Sequence, residues 1–255
     1  PTTWVDAEGG GFNYIFDSGN PAPVPVEDTN LVAITRAYQY PGAVATLQLA
    51  GSDENIGDMG GVIDQSDATF ELVVRFNDLS GKHTLVETGG DGDGTAIWVD
   101  GTDLVTRSQE HNGDTDDHVE IRYGLTVSEH TGRFLQIDYV VDLGNDEARL
   151  YIDGSNVATQ AVTPTDGTGD SDMGDWDGGD VSKLGGQSGN IAGGETGYTD
   201  FDGEIAVLRI YKDDLTQTEI DQNYAAYQAS PGTSNGGNIS IFREATGGDS
   251  ISTAS

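Results

Sequence analysis

Two Asp-Gly dipeptides, each set between two short apolar runs, place the strongest constraint on the fold. Asp100-Gly101 separates TAIWVD from DLVTR, and Asp153-Gly154 separates ARLYID from NVATQ. Asp-Gly readily adopts the positive φ angles that a two-residue hairpin turn requires. Each dipeptide therefore predicts a tight connection between two neighbouring antiparallel strands.

Strand-like runs recur along the middle of the chain. In residues 69–76 every second residue is apolar, whereas Glu71 and Arg75 lie on the opposite face together with a valine. Similar runs follow at residues 84–87, 95–100, 104–107, 119–127, 134–143, 148–153, 157–162 and 204–211. Short strands separated by regular turn signals predict an all-β sandwich of two antiparallel sheets.

One helix is predicted, from Thr216 to about Ala229. Thr216 and Glu219 have the spacing of a capping box, and apolar or aromatic residues recur on one face of the helix. We expect this helix to lie against the edge of the sandwich.

The composition changes at both ends of the chain. Residues 1–29 contain a Gly-Gly-Gly triplet and three alternating prolines, which favour an extended N-terminal arm. Residues 230–255 are rich in Gly, Ser, Thr and Asn, and we expect a C-terminal tail that becomes ordered on a neighbouring molecule. The folded domain is predicted to span residues 30–229.

The succession of motifs resembles the laminin-G-like, concanavalin A-like lectin/glucanase jelly roll over about residues 30–229. It runs through FELVVRF, HTLVETGG, AIWVDGTDLV, FLQIDYVVD, ARLYIDGSNVAT and WDGGDVSKLGG to FDGEIAVLRIYKDDLTQTEI. The resemblance implies two face-to-face antiparallel sheets and non-catalytic binding of glycans or proteins, often with calcium, although some relatives are glycoside hydrolases. Many similar sequences carry an acidic residue where this chain has Ala206, which puts a calcium site using that position in doubt.

The net charge narrows the set of partners. The chain contains 11 Lys and Arg and 44 Asp and Glu, which gives a formal net charge of −33. Such a chain repels nucleic acid and anionic membrane surfaces, and no apolar run is long enough for membrane insertion. The acids are spread from Asp6 to Asp249, so we expect a folded halophilic protein stabilised by high salt, in preference to an acidic disordered tail.

Catalytic motifs are lacking in the sequence. Glycoside hydrolysis needs two carboxyl groups flanking the scissile bond, and the one-strand patterns E-x-D-x-x-E and E-x-D-x-E of the hydrolase branch do not occur. Glu71, Glu120, Glu147 and Glu204 are interpreted as part of a solvated acidic face. Gly-x-Ser-x-Gly and H-E-x-x-H are also missing, so we expect a protein that is not an enzyme.

Two Asp-rich glycine turns are the calcium candidates, because calcium prefers six to eight oxygen ligands. One contains Asp91 and Asp93, and the other contains Asp175, Asp177 and Asp180. In a chain this acidic, clusters of this kind also arise by chance, so the calcium ion stays a possible cofactor.

Aromatic residues in the glycine-rich stretch at 165–197 and next to it are candidates for stacking on sugars. Trp176 and Tyr198 would provide such a platform if their rings are exposed.

Three functions remain open at this point. The first is a structural or adhesion module on a virion surface, such as a capsid decoration, turret or tail protein, or on a cell surface, where it contacts other copies, envelope subunits or surface glycans. The second is a soluble calcium-dependent lectin, and the third is a glycoside hydrolase of the same fold. No charged and apolar secretory segment precedes Pro1, so both a removed signal and intracellular assembly of a virion stay open.

Overall fold

The computed structural model describes residues 3–4, 14–18, 22–26, 30–42, 46–49, 67–88, 94–112, 115–163, 182–186, 199–211, 213–229 and 238–243. The strands within them are β1 (Thr3–Trp4), β2 (Tyr14–Ser18), β3 (Ala22–Pro25), β4 (Arg36–Pro41), β5 (Thr46–Leu49), β6 (Ala68–Phe76), β7 (Lys82–Glu87), β8 (Gly94–Asp100), β9 (Asp103–Asn112), β10 (Thr115–Gly124), β11 (Phe134–Asp142), β12 (Glu147–Ile152), β13 (Ser155–Ala161), β14 (Lys183–Leu184), β15 (Asp202–Tyr211) and β16 (Asn238–Arg243). The helices are α1 (Val127–His130) and α2 (Gln217–Gln228). Neither of these described helices is long and apolar enough to cross a membrane.

The strands form two sheets that pack face to face. The first sheet has the order β1-β2-β5-β14-β7-β8-β9-β10, and the second has the order β13-β12-β11-β6-β15-β4-β3. The predicted strand runs fall on β6 to β13 and on β15. The predicted jelly-roll sandwich of two antiparallel sheets is confirmed.

Both predicted hairpins are present. Gly101 and Thr102 connect β8 to β9, and only Gly101 has a positive φ, which is the pattern of a type II′ turn. Asp153 and Gly154 connect β12 to β13 with φ values of 51° and 78°, which is the pattern of a type I′ turn.

Large aromatic side chains fill the space between the sheets. Phe70 and Tyr139 are fully buried with ring centroids 6.4 Å apart, and Phe76 meets Phe201 edge to face at 5.8 Å. Fully burying one such side chain contributes about 1.5–3 kcal/mol, so this layer is the main source of stability in the sandwich.

A second apolar layer lies on the outer face of the second sheet, beneath α2. Ile220 packs there in one cluster with Val140 and Tyr211, and Tyr227 packs in another with Val73. The helix therefore covers a sheet face instead of the predicted edge, because β6 and β11 carry apolar side chains on both faces. The predicted capping box at the start of the helix is present.

The described part of residues 1–29 forms strands of the sandwich, which corrects the prediction of an arm. β2 pairs with β5 in the first sheet, and β3 pairs with β4 as the last strand of the second sheet. Pro23 and Pro25 are tolerated in β3 because an edge strand has unpaired positions where no N–H is needed.

The described part of residues 230–255 pairs within its own chain, which corrects the expectation of ordering on a neighbour. β16 runs parallel to β15 from Val207 to Tyr211. On that side of β15, β4 pairs only with residues 202–205, so the rest of the edge is open to β16.

Candidate functional site

The residues predicted to bind ligands fall outside the described part of the chain. They are Asp91, Asp93, Asp175, Trp176, Asp177, Asp180 and Tyr198. Their roles stay predictions, and the candidate site that the described residues do form comes from other segments.

That site is an open groove of about 550 Å³ between α1, the β12–β13 turn and α2. Its volume lies within the range of roughly 300–1,000 Å³ that is usual for small-molecule sites. Four separate segments supply the lining residues, which are Asn30, Ser128, Glu129, His130, Arg133, Asp153, Tyr224 and Gln228. The lining is therefore mainly polar, with one tyrosine ring.

His130 closes the single turn of α1 and is buried in the groove wall. Nδ1 of His130 lies 2.8 Å from the backbone nitrogen of Thr126 and 3.0 Å from the carbonyl oxygen of the same residue, so Nδ1 accepts from the first or donates to the second according to the tautomer. Nε2 has no protein partner within the described residues, so this nitrogen is available to donate to a ligand or accept from it. The strand pattern predicted an extended chain up to Val127, whereas β10 ends at Gly124 and this turn follows.

Arg133 ties α1 to the β12–β13 turn. Its Nε donates to the carbonyl oxygen of Glu129 at 2.7 Å, and its Nη1 lies 2.7 Å from Oδ2 of Asp153. The other oxygen of Asp153 accepts the backbone N–H of Gln136 at 3.1 Å. Two walls of the groove are thus fixed to each other by charge-assisted hydrogen bonds.

Tyr224 forms the third wall by packing on Gly154. A Cβ atom at position 154 would lie 3.2 Å from Cδ1 of Tyr224, so the ring sits directly on the glycine backbone. Gln217 at the start of α2 donates to the carbonyl oxygen of Gly154 at 2.6 Å. The same turn therefore contacts α2 at its first residue, Gln217, and again at Tyr224 inside the helix.

A buried charged network lies on the other side of α2. Glu71 is fully buried and accepts four hydrogen bonds, from Tyr211 Oη at 2.6 Å, Tyr227 Oη at 2.8 Å, Arg209 Nη1 at 3.1 Å and Gln136 Nε2 at 3.2 Å. Burial raises the pKa of Tyr211 and Tyr227 well above the usual range, so both hydroxyls stay protonated and donate. The interpretation of Glu71 as a solvated surface acid is wrong, because α2 covers it.

Asp138 lies opposite Glu71 in the register of β11 and β6. Its Oδ1 accepts a hydrogen bond of 3.3 Å from Gln136, and its buried Oδ2 has no partner. Burial, reinforced by the negative charge of Glu71, raises the pKa of Asp138 well above its ordinary value. Glu71 accepts four hydrogen bonds and Asp138 accepts one, so we assign the proton of this pair to Asp138.

Two further glutamates of the predicted acidic face are engaged in ion pairs. Glu204 is buried and pairs with Arg75. Glu120 lies 3.2 Å from Arg107 and 2.7 Å from Arg122 on the first sheet. These carboxylates stabilise the sheets and do not face one another across a cleft.

In the described ranges one group of acids has the spacing of metal ligands. Carboxylate oxygens of Asp67, Asp213 and Asp214 lie within 4.8 Å of one another. The pairing of Thr69 with Tyr211 in β6 and β15 brings these sequence-distant acids together, so no local motif signals them. Burial raises the pKa of Asp213 and Asp214, and three oxygens are fewer than calcium usually takes.

A known protein family matches most of the folded domain. The family described as the concanavalin A-like lectin/glucanases superfamily matches residues 50–221. The chain belongs to this superfamily. In this concanavalin A-like domain Ala206 is fully buried at a β-bulge, so the position where many similar sequences carry an acid offers no carboxylate to a metal.

Solved structures with the same fold include receptor-binding domains of botulinum neurotoxins. The binding domain of neurotoxin DC in complex with rat synaptotagmin II has a TM-score of 0.57 and 11% identity, over 87% of this chain and 48% of that one. A neurotoxin type C structure, for which interaction with two ganglioside molecules is reported, has a TM-score of 0.58 and 10% identity, over 88% and 49%. The concanavalin A-like domain thus spans about half the length of these structures. A search of curated protein sequences finds no match.

Proposed function

We propose that this concanavalin A-like domain is a non-catalytic binding module, displayed on a virion or cell surface in a high-salt environment. In this role it contacts neighbouring protein subunits and surface glycans. The polar groove between α1, the β12–β13 turn and α2 carries the proposal.

The groove favours binding over catalysis because its acids are not arranged as an acid–base pair. Glu129 and Asp153 are the two carboxylates in its lining. Both oxygens of Asp153 are already bonded, one to Arg133 and one to the N–H of Gln136. A glycosidase needs one carboxyl group free to protonate the leaving oxygen and a second to act opposite it. Glu129 alone cannot fill both roles.

The structural neighbours support protein and glycan partners. Their descriptions name synaptotagmin II for one neurotoxin and ganglioside molecules for another. A shared fold does not by itself carry a function, so these neighbours only add support to what the groove indicates.

The distribution of charge supports the high-salt setting. Basic residues are scarce, and many of those described are held in ion pairs, for example Arg75 with Glu204 and Arg149 with Asp142. The 11 Lys and Arg can pair with only a minority of the 44 Asp and Glu, so the net charge of −33 has no fixed counter-charge in the chain. At ~1 M salt the screening length falls to about 3 Å, which removes most of the repulsion between these acids.

The test combines binding, turnover and assembly in one buffer at ~2 M KCl. Binding of the purified protein is measured on a glycan array and on envelope or virion fractions of halophiles. Turnover is measured as release of reducing sugar from polysaccharides, and self-association is measured by gel filtration with light scattering. Retention on a glycan or a surface without turnover is the expected result. Release of reducing sugar by the purified protein would establish the hydrolase alternative instead.

The soluble calcium-dependent lectin remains the second candidate, favoured by the carboxylates of Asp67, Asp213 and Asp214. It predicts that glycan binding is lost on adding EGTA at constant salt and returns with calcium. The surface-module proposal predicts binding without that dependence, together with association between copies or with envelope proteins.

A further inference from the structure

We propose that the groove between α1, the β12–β13 turn and α2 is a site for neutral saccharides, and that it discriminates against acidic sugars such as sialic or uronic acids. This inference rests on the proposed binding function and names the ligand class of its site. Three observations carry it: the engagement of Arg133, the free carboxylate of Glu129, and the fixed ring of Tyr224.

Arg133 is not available as an anion receptor. Arginine recognises carboxylates and sulfates best through two parallel N–H donors. In the groove its Nε bonds to the carbonyl oxygen of Glu129, and its Nη1 bonds to the carbonyl oxygen of Phe134 at 3.2 Å and to Asp153. The charge of Arg133 is balanced by Asp153, and a ligand can reach at most a single remaining N–H₂ group.

Glu129 makes the remaining charge of the groove negative. Its side chain is exposed and has no hydrogen-bond or ion-pair partner among the described residues. At ~2 M salt the net charge of the whole molecule is screened beyond about 3 Å, so only charges in direct contact with a ligand affect selectivity. Two like charges about 4 Å apart near a protein surface repel by about 4 kcal/mol without salt, and a screening length of about 3 Å lowers this to about 1 kcal/mol, which corresponds to a factor of about five in affinity.

The uncharged part of the lining matches a pyranose. Tyr224 is half-buried and held against Gly154, which gives a fixed apolar ring on which the C–H face of a sugar can stack. His130 Nε2 can donate or accept one hydrogen bond, and the exposed side chains of Ser128 and Gln228 supply further donors and acceptors. A groove of about 550 Å³ leaves room for a mono- or disaccharide.

The experiment measures binding of neutral hexoses and their oligosaccharides, of sialylated glycans and of glucuronates, by titration calorimetry at ~2 M KCl. The variants are Glu129→Lys, Tyr224→Ala and Tyr224→Phe. Glu147→Gln is the control, since it removes an acid at the opposite end of β12 from the groove.

We expect wild-type protein to bind neutral saccharides more tightly than acidic ones. Glu129→Lys should leave neutral binding nearly unchanged and strengthen acidic binding by about fivefold or more. Tyr224→Ala should weaken neutral binding by about tenfold, whereas Tyr224→Phe and Glu147→Gln should bind as wild type. Thermal unfolding of each variant shows whether a loss of saccharide binding is caused by unfolding of the protein. If Tyr224→Ala does not fold, Glu129→Lys provides a second test, because Glu129 is exposed.

Three results would overturn the inference. One is saccharide binding that the Tyr224 and Glu129 variants leave unchanged, which would place the site elsewhere while keeping the proposed binding function. The second is a failure of the panel to bind, and the third is a wild-type preference for acidic sugars. The proposed function itself fails separately, through sugar turnover or through lack of retention on any glycan or surface.

Discussion

Replacing Asp138 by Asn should stabilise the protein, and the gain should increase with pH. Asp138 is fully buried, lies opposite Glu71 in the sheet, and receives one hydrogen bond of 3.3 Å from Gln136. Burial and the neighbouring negative charge raise its pKa well above the ordinary value. In the folded protein the group therefore keeps a proton that the unfolded chain releases above about pH 3.9.

The sign and size of the effect follow from this difference in bound protons. Because the folded state binds the extra proton, the free energy of unfolding falls as pH rises, by about 1.4 kcal/mol per pH unit. The loss begins near pH 4 and continues until the carboxyl group ionises in the folded state. Asparagine has the same shape and no proton to lose, so the variant lacks this slope.

The measurement is urea unfolding of wild type and Asp138→Asn at ~2 M KCl, at a series of values from about pH 4 to about pH 8. The control is Asp142→Asn on the same strand. Its carboxylate lies 3.2 Å from Arg149 and also accepts from Asn145, so that variant should be destabilised. A stability difference between wild type and Asp138→Asn that does not change with pH would refute the conclusion that Asp138 is protonated.

Four further changes test other parts of the structure. Dialysis from molar to millimolar salt should lower the thermal midpoint, and an unchanged midpoint would argue against halophily. Thr216→Ala removes the N-cap of α2 and should cost about 1 kcal/mol in urea unfolding, whereas Thr218→Ala, at an exposed position inside the helix, should be close to neutral. Tyr227→Phe removes a donor to the buried carboxylate of Glu71 and should cost about 1–3 kcal/mol in urea unfolding. Adding a chelator at constant high salt should lower the melting temperature if a structural calcium ion is bound, and an unchanged melting temperature would argue against one.

Local sequence chemistry was enough to predict strands β6 to β13 and β15, the two hairpins and the main helix, but not β1 to β5, β14 or β16. Asp153-Gly154 fixes a two-residue turn by itself, and Thr216 with Glu219 fixes the start of α2. These features depend on residues at most a few positions apart, so a single sequence contains the necessary information.

The burial of Glu71 could not be read from β6 alone. The period-two pattern assigns it correctly to the outer face, but the helix that covers that face is more than 140 residues later in the chain. A signal was nevertheless present, because Val73 lies on the same face of β6, and Phe134 and Val140 lie on that face of β11. Apolar residues on both faces of neighbouring strands indicate a covered sheet.

The groove was missed for a related reason. Its lining residues come from four segments that share no motif, and the turn of α1 interrupts a region whose pattern predicted a strand. Only the three-dimensional arrangement brings His130, Arg133, Asp153 and Tyr224 to one place.

The type I′ turn at Asp153 and Gly154 serves two purposes, and this limits how the molecule can evolve. The two residues set the alignment of β12 with β13. In addition, Asp153 forms the ion pair with Arg133, and Gly154 packs against the ring of Tyr224. A substitution there alters sheet geometry and ligand contacts together. We therefore expect homologues to vary at Asn30, Ser128 and Gln228 in the groove lining and to retain the turn.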